Sequence, residues 1–165
     1  MLTIRRAHPD EYAAIGALTA DAYAPVLTFG EDDPYRHTLL DAAGRAAAAE
    51  LWAATTDGQL VGTVTVCRPG SVYAEVAKAD ELEVRMLAVS PEAQGQRIGL
   101  QLMERVHQTA QAEGFSAVVL SVVESNLAAV AFYAGLGSLR VPKRDWTPVP
   151  DITLQIWRWP VPADR

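Results

Sequence analysis

The chain has 165 residues, half of them apolar, with 14 basic against 20 acidic side chains and a formal net charge of −6. A length in this range can bury one apolar core without disulfides or metals, so one domain over 1–165 is expected. The acidic balance argues against a sequence-independent grip on nucleic acid, no apolar run reaches membrane-spanning length, and the single cysteine, Cys67, excludes an internal disulfide and a cysteine metal cluster.

The opening MLTIRRAHPDEY lacks the charged-then-apolar order of a secretion signal, so a soluble cytoplasmic protein is expected. Leu2 to Arg6 reads as a strand, followed from Asp10 to Asp21 by a helix with Tyr12, Ile15, Leu18 and Ala22 at helical spacing. Tyr23 to Pro34 loses that period and carries Pro25, Gly30 and the acidic run Glu31-Asp32-Asp33. A loop is expected there, with Asp33 capping and Pro34 opening a second helix that reaches about Ala49. The acidic run reads as a solvated loop and helix start, with a cation-attracting rim as the other reading.

Leu51 to Thr55 and Leu60 to Val66 flank Asp57-Gly58, a strong hairpin signal. Arg68 to Asp80 reads as a loop and Glu81 to Val89 as a strand. Ile98 to Glu113 is a helix with Ile98, Leu102, Met103, Val106 and Ala110 on one face, stopped by Gly114. Phe115 to Val123 is a strand, Asn126 to Leu136 a short helix, and Ile152 to Trp159 a last alternating strand. This order is mixed α/β, with antiparallel strands first and one strand-helix-strand crossover in the second half.

The informative stretch runs from Glu81 to Gly99. A strand ends at Ser90-Pro91, a turn of small and polar residues follows, and a helix begins near Ile98. The first turn of a helix has amides without intrahelical acceptors and a partial positive charge, so it can hold a phosphate. Gly95 and Gly99 permit close approach, and Arg97 adds a charged donor. Neither Gly-Lys-Ser/Thr nor Gly-x-Gly-x-x-Gly occurs here, which excludes the common nucleotide loops.

The run Gln94-x-x-Arg97-x-Gly99, after a strand ending Leu87-Ala88-Val89 and followed by Asn126-x-x-Ala129-x-x-Phe132-Tyr133-x-x-x-Gly137, resembles the GNAT superfamily of acetyltransferases. That family usually has glycine where Arg97 stands and an aromatic residue where Ser138 stands. The resemblance implies a single α/β domain of the α+β kind. Its central twisted sheet would be mixed and mostly antiparallel, with about six to seven strands and about four flanking helices, and two strands would splay at the coenzyme A site.

It also implies acetyl-coenzyme A as co-substrate, transfer to a primary amine within a ternary complex, and a homodimer in some members. Leu87 and Val89 would offer main-chain contacts to the pantetheine arm. Gly95, Arg97, Gly99 and Leu100 would offer amides to the pyrophosphate, with Gln94 and Gln96 close by. Asn126 would cap its helix and stand near the arm.

An attacking amine must lose a proton, since its pKa is near about 10.4. Strict alternation puts Glu81, Glu83, Arg85, Leu87 and Val89 on one face of their strand. Glu83 then lies roughly 13 Å from Leu87 at about 3.3 Å per residue, a reach that calls for a bridging water. The resemblance points to Glu83 as base as well; pairing with Arg85 or another surface charge is the other reading, and Glu81 is the reserve. A departing thiolate needs a proton, and a phenol of similar basicity can donate it. The resemblance places that acid at Tyr133.

Cys67 reads as an inert buried thiol. His8, His37 and His107 lack metal-ligand spacing, so no metal is expected. Trp146, Trp157 and Trp159 read as packing residues, one of which could wall an acceptor cleft. The acceptor, a small-molecule or peptide amine, would be gripped by Tyr23 to Tyr35 and Arg144 to Pro150, where the acidic run suits a cation; no nucleic acid or membrane partner is expected. The alternative function is a non-catalytic acyl-coenzyme A sensing module, which needs the turn but neither Tyr133 nor a base. A plain α/β scaffold for protein contacts is a third reading.

Overall fold

A computed structural model, describing residues 1–163, shows one mixed sheet with helices on both faces. In chain order its elements are β1 (Leu2–Arg6), α1 (Tyr12–Leu27), α2 (Pro34–Leu40), α3 (Ala42–Ala48), β2 (Glu50–Thr56), β3 (Gln59–Cys67) and β4 (Glu81–Val89). Then come α4 (Ile98–Ala112), β5 (Ala117–Val123), α5 (Leu127–Leu136), β6 (Leu139–Arg140), β7 (Trp146–Val149) and β8 (Ile152–Pro160). The strand order is β1-β2-β3-β4-β5-β8-β6, with β7 also on β8. Among the described residues only β4 and β5 run parallel. The eight strands and five α-helices among the described residues exceed the expected number by β6, β7 and a divided second helix.

Local chemistry explains the divisions. Asp57 and Gly58 adopt φ of 51° and 79°, the left-handed pair that a two-residue hairpin turn requires. The second helix breaks at Asp41 instead of running on to Ala49. The Asp41 amide closes α2 onto the His37 and Thr38 carbonyls, and its carboxylate accepts from the Gly44 amide at 2.9 Å to open α3. The loop expected from Tyr23 is also corrected, because α1 continues through Pro25 to Leu27. A proline so close to the end removes one bond only, and Thr28 (φ 47°) then closes the helix onto Ala24. Tyr23 is therefore held on a helix.

One face of the sheet, with Leu82, Val84, Val118, Leu120 and Val122, packs on Leu102, Met103 and Val106 of α4 and on Tyr133 of α5. The other packs on α1 to α3 through Ile15, Ala42, Leu51 and Ala53, and through Ala20, Leu39 and Met86. Each large apolar side chain buried this way contributes about 2 kcal/mol. The seam between α1 and the end of α2 is close: a Cβ on Gly16 would lie 2.2 Å from the Leu40 carbonyl oxygen. Gly16→Ala should therefore cost about 2 kcal/mol through overpacking, read as a lower urea midpoint; an unchanged midpoint contradicts that contact.

Two irregularities in β4 position the site. Thr65 faces Arg85 and Thr63 faces Ala88, so Met86 and Leu87 together oppose Val64, and Met86 takes φ 57°. This bulge reverses the alternation. Leu87 and Val89 consequently pack with Leu82 and Val84 on the α4 side, while Met86 joins Ala20 and Leu39 on the α1 side. The expectation that Glu81, Glu83, Arg85, Leu87 and Val89 share a face is thus overturned after Arg85. Second, pairing between β4 and β5 stops at Val84 opposite Leu120, although both strands continue.

Candidate functional site

Beyond Val84 and Leu120 the parallel strands diverge, β4 staying with β3 up to Val89 and β5 with β8 up to Val123. Main-chain groups along the wedge are met by side chains. The Tyr23 hydroxyl donates to the Leu87 carbonyl at 3.2 Å, and the Gln94 side-chain amide donates to the Val89 carbonyl at 3.3 Å. Leu87 and Val89, singled out from the sequence, therefore do lie along the opening.

The turn leaving β4 coils as a short 3-10 segment at Pro91–Ala93, extends at Gln94, and reverses through Gly95 (φ 82°) to Arg97 (φ 60°), where α4 begins. The first bond into the helix is donated by Gln101 to the Arg97 carbonyl at 3.1 Å, so the amides of Ile98, Gly99 and Leu100 precede the ladder, and no side chain caps them. Gly95, Gln96 and Arg97 are exposed and Gly99 and Leu100 half-buried. Several uncommitted amides next to an arginine suit a doubly charged diphosphate.

Arg97 sits where left-handed backbone favours glycine. Arg97→Gly should raise the stability of the free protein by about 1 kcal/mol and weaken coenzyme A binding about threefold through loss of an exposed charge. Urea melts and calorimetry read the two effects, and their opposite signs separate backbone strain from ligand contact.

The α5 helix starts at Asn126, whose side chain accepts from the Ala129 amide at 3.2 Å. This is the capping role expected of it. Phe132 packs over the first turn of α4, within 3.5 Å of where a Cβ on Gly99 would stand, and Tyr133 meets Phe132 edge-on with ring centroids 5.0 Å apart. The Tyr133 ring is buried, yet its hydroxyl bonds to none of the described residues and keeps contact with solvent. Burial raises its pKa, so the phenol is protonated at neutral pH. Burial likewise raises the pKa of Tyr23, to which the Tyr133 phenol adds. Two phenols, one from α1 and one from α5, thus stand near one another at the mouth of the wedge.

The carboxylates are more committed than the sequence suggested. Glu83 is buried, and its oxygens accept from the amides of Glu75, Val76 and Ala77 at 2.9 to 3.1 Å, so it anchors the loop before β4. The Arg85 partner expected for it belongs to Glu75 instead, at 2.9 Å. Burial pushes the Glu75 carboxyl up from its ordinary range against the pull of Arg85. Glu81, the reserve candidate, is enclosed by Arg144 and Arg158 at 2.8 Å each and by the Lys78 amide at 3.0 Å. Arg144, expected to face an acceptor, is spent on Glu81 and on the Val76 carbonyl.

Cys67 is fully buried, and burial pushes its thiol up to about 12, which leaves it inert as expected. Trp159 stacks on His107 with centroids 4.2 Å apart, and Trp157 lies in the core beneath Arg140. Trp146 keeps a buried indole N–H without a partner. His8 gathers with Asp10 and Glu11, ligand atoms within 4.8 Å of one another, but Glu11 is already held by Arg5 at 2.7 Å. Sequence reasoning gave no role to Arg45 or Glu75, and it took Tyr23 for a loop residue and Arg85 for a partner of Glu83.

The profile of the family described as "Acetyltransferase (GNAT) family" matches residues 15–137. N-acetyltransferase family 8 member 3 of Mus musculus is 37% identical over 87 residues, covering 53% of this chain and 37% of that protein. The same-named protein of Rattus norvegicus is 34% identical over the same shares. The chain thus spans little more than a third of the length of these curated relatives.

Among solved structures, a GNAT-family acetyltransferase from Staphylococcus aureus superposes with a TM-score of 0.76 at 13% identity, covering 98% of this chain and 100% of that one. The ribosomal-protein-S18-alanine N-acetyltransferase of Escherichia coli gives 0.73 at 22%, covering 100% and 97%. A putative acetyltransferase from Salmonella typhimurium, solved with acetyl-CoA, gives 0.70 at 18%, covering 100% and 96%. At these identities the likeness is one of fold.

Proposed function

Because the chain belongs to the GNAT family of acetyltransferases, we propose that it moves an acetyl group from acetyl-coenzyme A directly to a primary amine. The observation that carries this reading is the wedge between β4 and β5, opening beside the uncommitted amides of Ile98, Gly99 and Leu100. In the proposal, Gly95, Arg97, Gly99 and Leu100 hold the pyrophosphate, with Gln94 and Gln96 beside them. Main-chain groups of Leu87 and Val89 hold the pantetheine arm, close to where Asn126 begins α5. The amine nitrogen attacks the thioester carbon, the carbon–sulfur bond breaks, and Tyr133 gives its proton to the departing thiolate.

The proton lost by the amine leaves through water toward Glu83, with exposed Glu75 as the carboxylate nearer to solvent. The raised pKa of Glu75 supports that share of the work. The acceptor is a small molecule or a peptide amine. The Escherichia coli neighbour, a ribosomal-protein-S18-alanine N-acetyltransferase, favours including peptide amines. A cytoplasmic setting and pairing of two copies belong to the same proposal. No helix among the described residues is long and apolar enough to cross a membrane.

Calorimetry with acetyl-coenzyme A, then thiol release across an amine panel with acetyl- and longer acyl-coenzyme A, tests this reading. Absence of heat on mixing would sink it.

A further inference from the structure

The face of the sheet toward α1, α2 and α3 holds polar groups that the proposed transfer does not use. Arg45 is fully buried, with no carboxylate within salt-bridge distance among the described residues. Its Nη1 donates to the Thr38 and Leu39 carbonyls at 2.8 and 2.9 Å, closing the end of α2. Its Nε and Nη2 are buried without partners. Those two atoms form one edge of the guanidinium, with parallel N–H vectors spaced to meet the two oxygens of a carboxylate side-on. Capping of α2 thus uses one nitrogen and leaves the recognition edge unused.

The nearby acids are engaged elsewhere. Asp41 accepts from the Gly44 amide, Glu75 pairs with Arg85, and Glu83 is held by three amides. Burial lowers the pKa of Arg45 most, Tyr73 and the Asp41 carboxylate draw it back in part, and the like charge of Arg85 lowers it again, so a second cation stands near the first. A buried cation with no carboxylate in contact destabilises the fold by itself, and an anionic ligand at its free edge relieves that cost.

Arg85 extends the same feature toward the wedge. Thr65 on β3 is its cross-strand partner, and Ser121 on β5 occupies the next register position after the last pair, Val84 with Leu120. Leu120 and Val122 face α4, so Ser121 between them faces the α1 side, as Thr65 does between Val64 and Val66. The hydroxyls of Thr65 and Ser121 are both buried without partners. The fields of Arg45 and Arg85 also reach Tyr23, which bonds to Leu87.

We infer that the acceptor amine carries a carboxylate, held by the free edge of Arg45 and by Arg85, with the Thr65 and Ser121 hydroxyls beside them. The inference rests on the acetyltransferase reading and narrows it to amino-acid-like acceptors, away from polyamines.

The test compares kcat/KM for a series of α- and ω-amino acids with that for their carboxamides, which keep the amine and lose the anion. At least about a tenfold preference for the acid is expected from a charge-assisted pair. In Arg45→Gln and Arg85→Gln that ratio should fall toward one. Arg45→Lys keeps a donor for the Thr38 and Leu39 carbonyls, so it guards against simple loss of fold, and circular dichroism reports folding of each variant. Calorimetry of an N-acetyl amino acid against its N-acetyl amide, with coenzyme A present, reads the subsite without turnover. Acids and amides used alike, or both products bound alike, overturn the inference and leave acetyl transfer standing. No thiol release with any amine, together with preferred binding of the acid product, keeps the subsite and overturns the transfer. A preference that survives both glutamine variants in folded protein also overturns it.

Discussion

Tyr133→Phe should lower kcat by about 100-fold or more, the range for loss of a general acid, while coenzyme A affinity stays within about twofold. The substitution removes one oxygen that bonds to none of the described residues, so the buried ring, its edge contact with Phe132 and the α5 cap are all retained. Little stability is therefore at stake. The wild-type phenol is protonated at neutral pH because burial raises its pKa, and it stays available to a thiolate over the working range. Rapid-mixing measurement of thiol release, beside calorimetry of the same variant with coenzyme A, separates chemistry from binding. Equal turnover across the accepted amines would remove the assigned role; lost binding would mark the residue as structural.

Glu81→Gln should cost about 3 kcal/mol at pH 7 and flatten the acid limb of stability. Burial alone would raise the carboxyl pKa, but bonds from Arg144, the Lys78 amide and Arg158 outweigh it and bring it from 4.5 to about 2. A depressed folded pKa adds stability that is fully present above the unfolded value and is lost as pH falls from 4.5 toward about 2. The glutamine variant lacks that contribution, so its urea midpoint should lie well below wild type at pH 7 and converge with it near pH 2. Parallel curves across that window would show that the two arginines draw nothing from Glu81. The effect reaches the site, because Arg144 also ties the Val76 carbonyl and so joins the loop before β4 to the segment after β6.

Much of the framework was legible because local chemistry decided it. The Asp57-Gly58 hairpin, the stop at Gly114 and the Asn126 cap depend on residues within a turn or two. So does the amide-rich start of α4, read from Gly95, Arg97 and Gly99. What failed depended on partners distant in sequence. Nothing between Glu81 and Val89 announces a bulge at Met86, which is a property of the β3 pairing, and its reversal moved Leu87 and Val89 away from the face of Glu83. Pro25 suggested a loop where a helix had two residues left to run. Arg45, in an alanine run four residues after Asp41, carries no motif of its own; Asp41 turns to the Gly44 amide and the arginine turns inward. Tyr23 and Glu75 carry no motif; long-range packing alone brings them to the wedge.

The divergence of β4 from β5 also divides the chain in order. Strands from residues 1 to 89 lie on one side and strands from 117 onward on the other, joined in the sheet by four residue pairs at one end. A thioester lodged in the cleft, as proposed, would act as a removable rung between two half-sheets. Occupancy and mechanical cohesion would then rise together, and slower amide exchange along both open edges would report the loaded state.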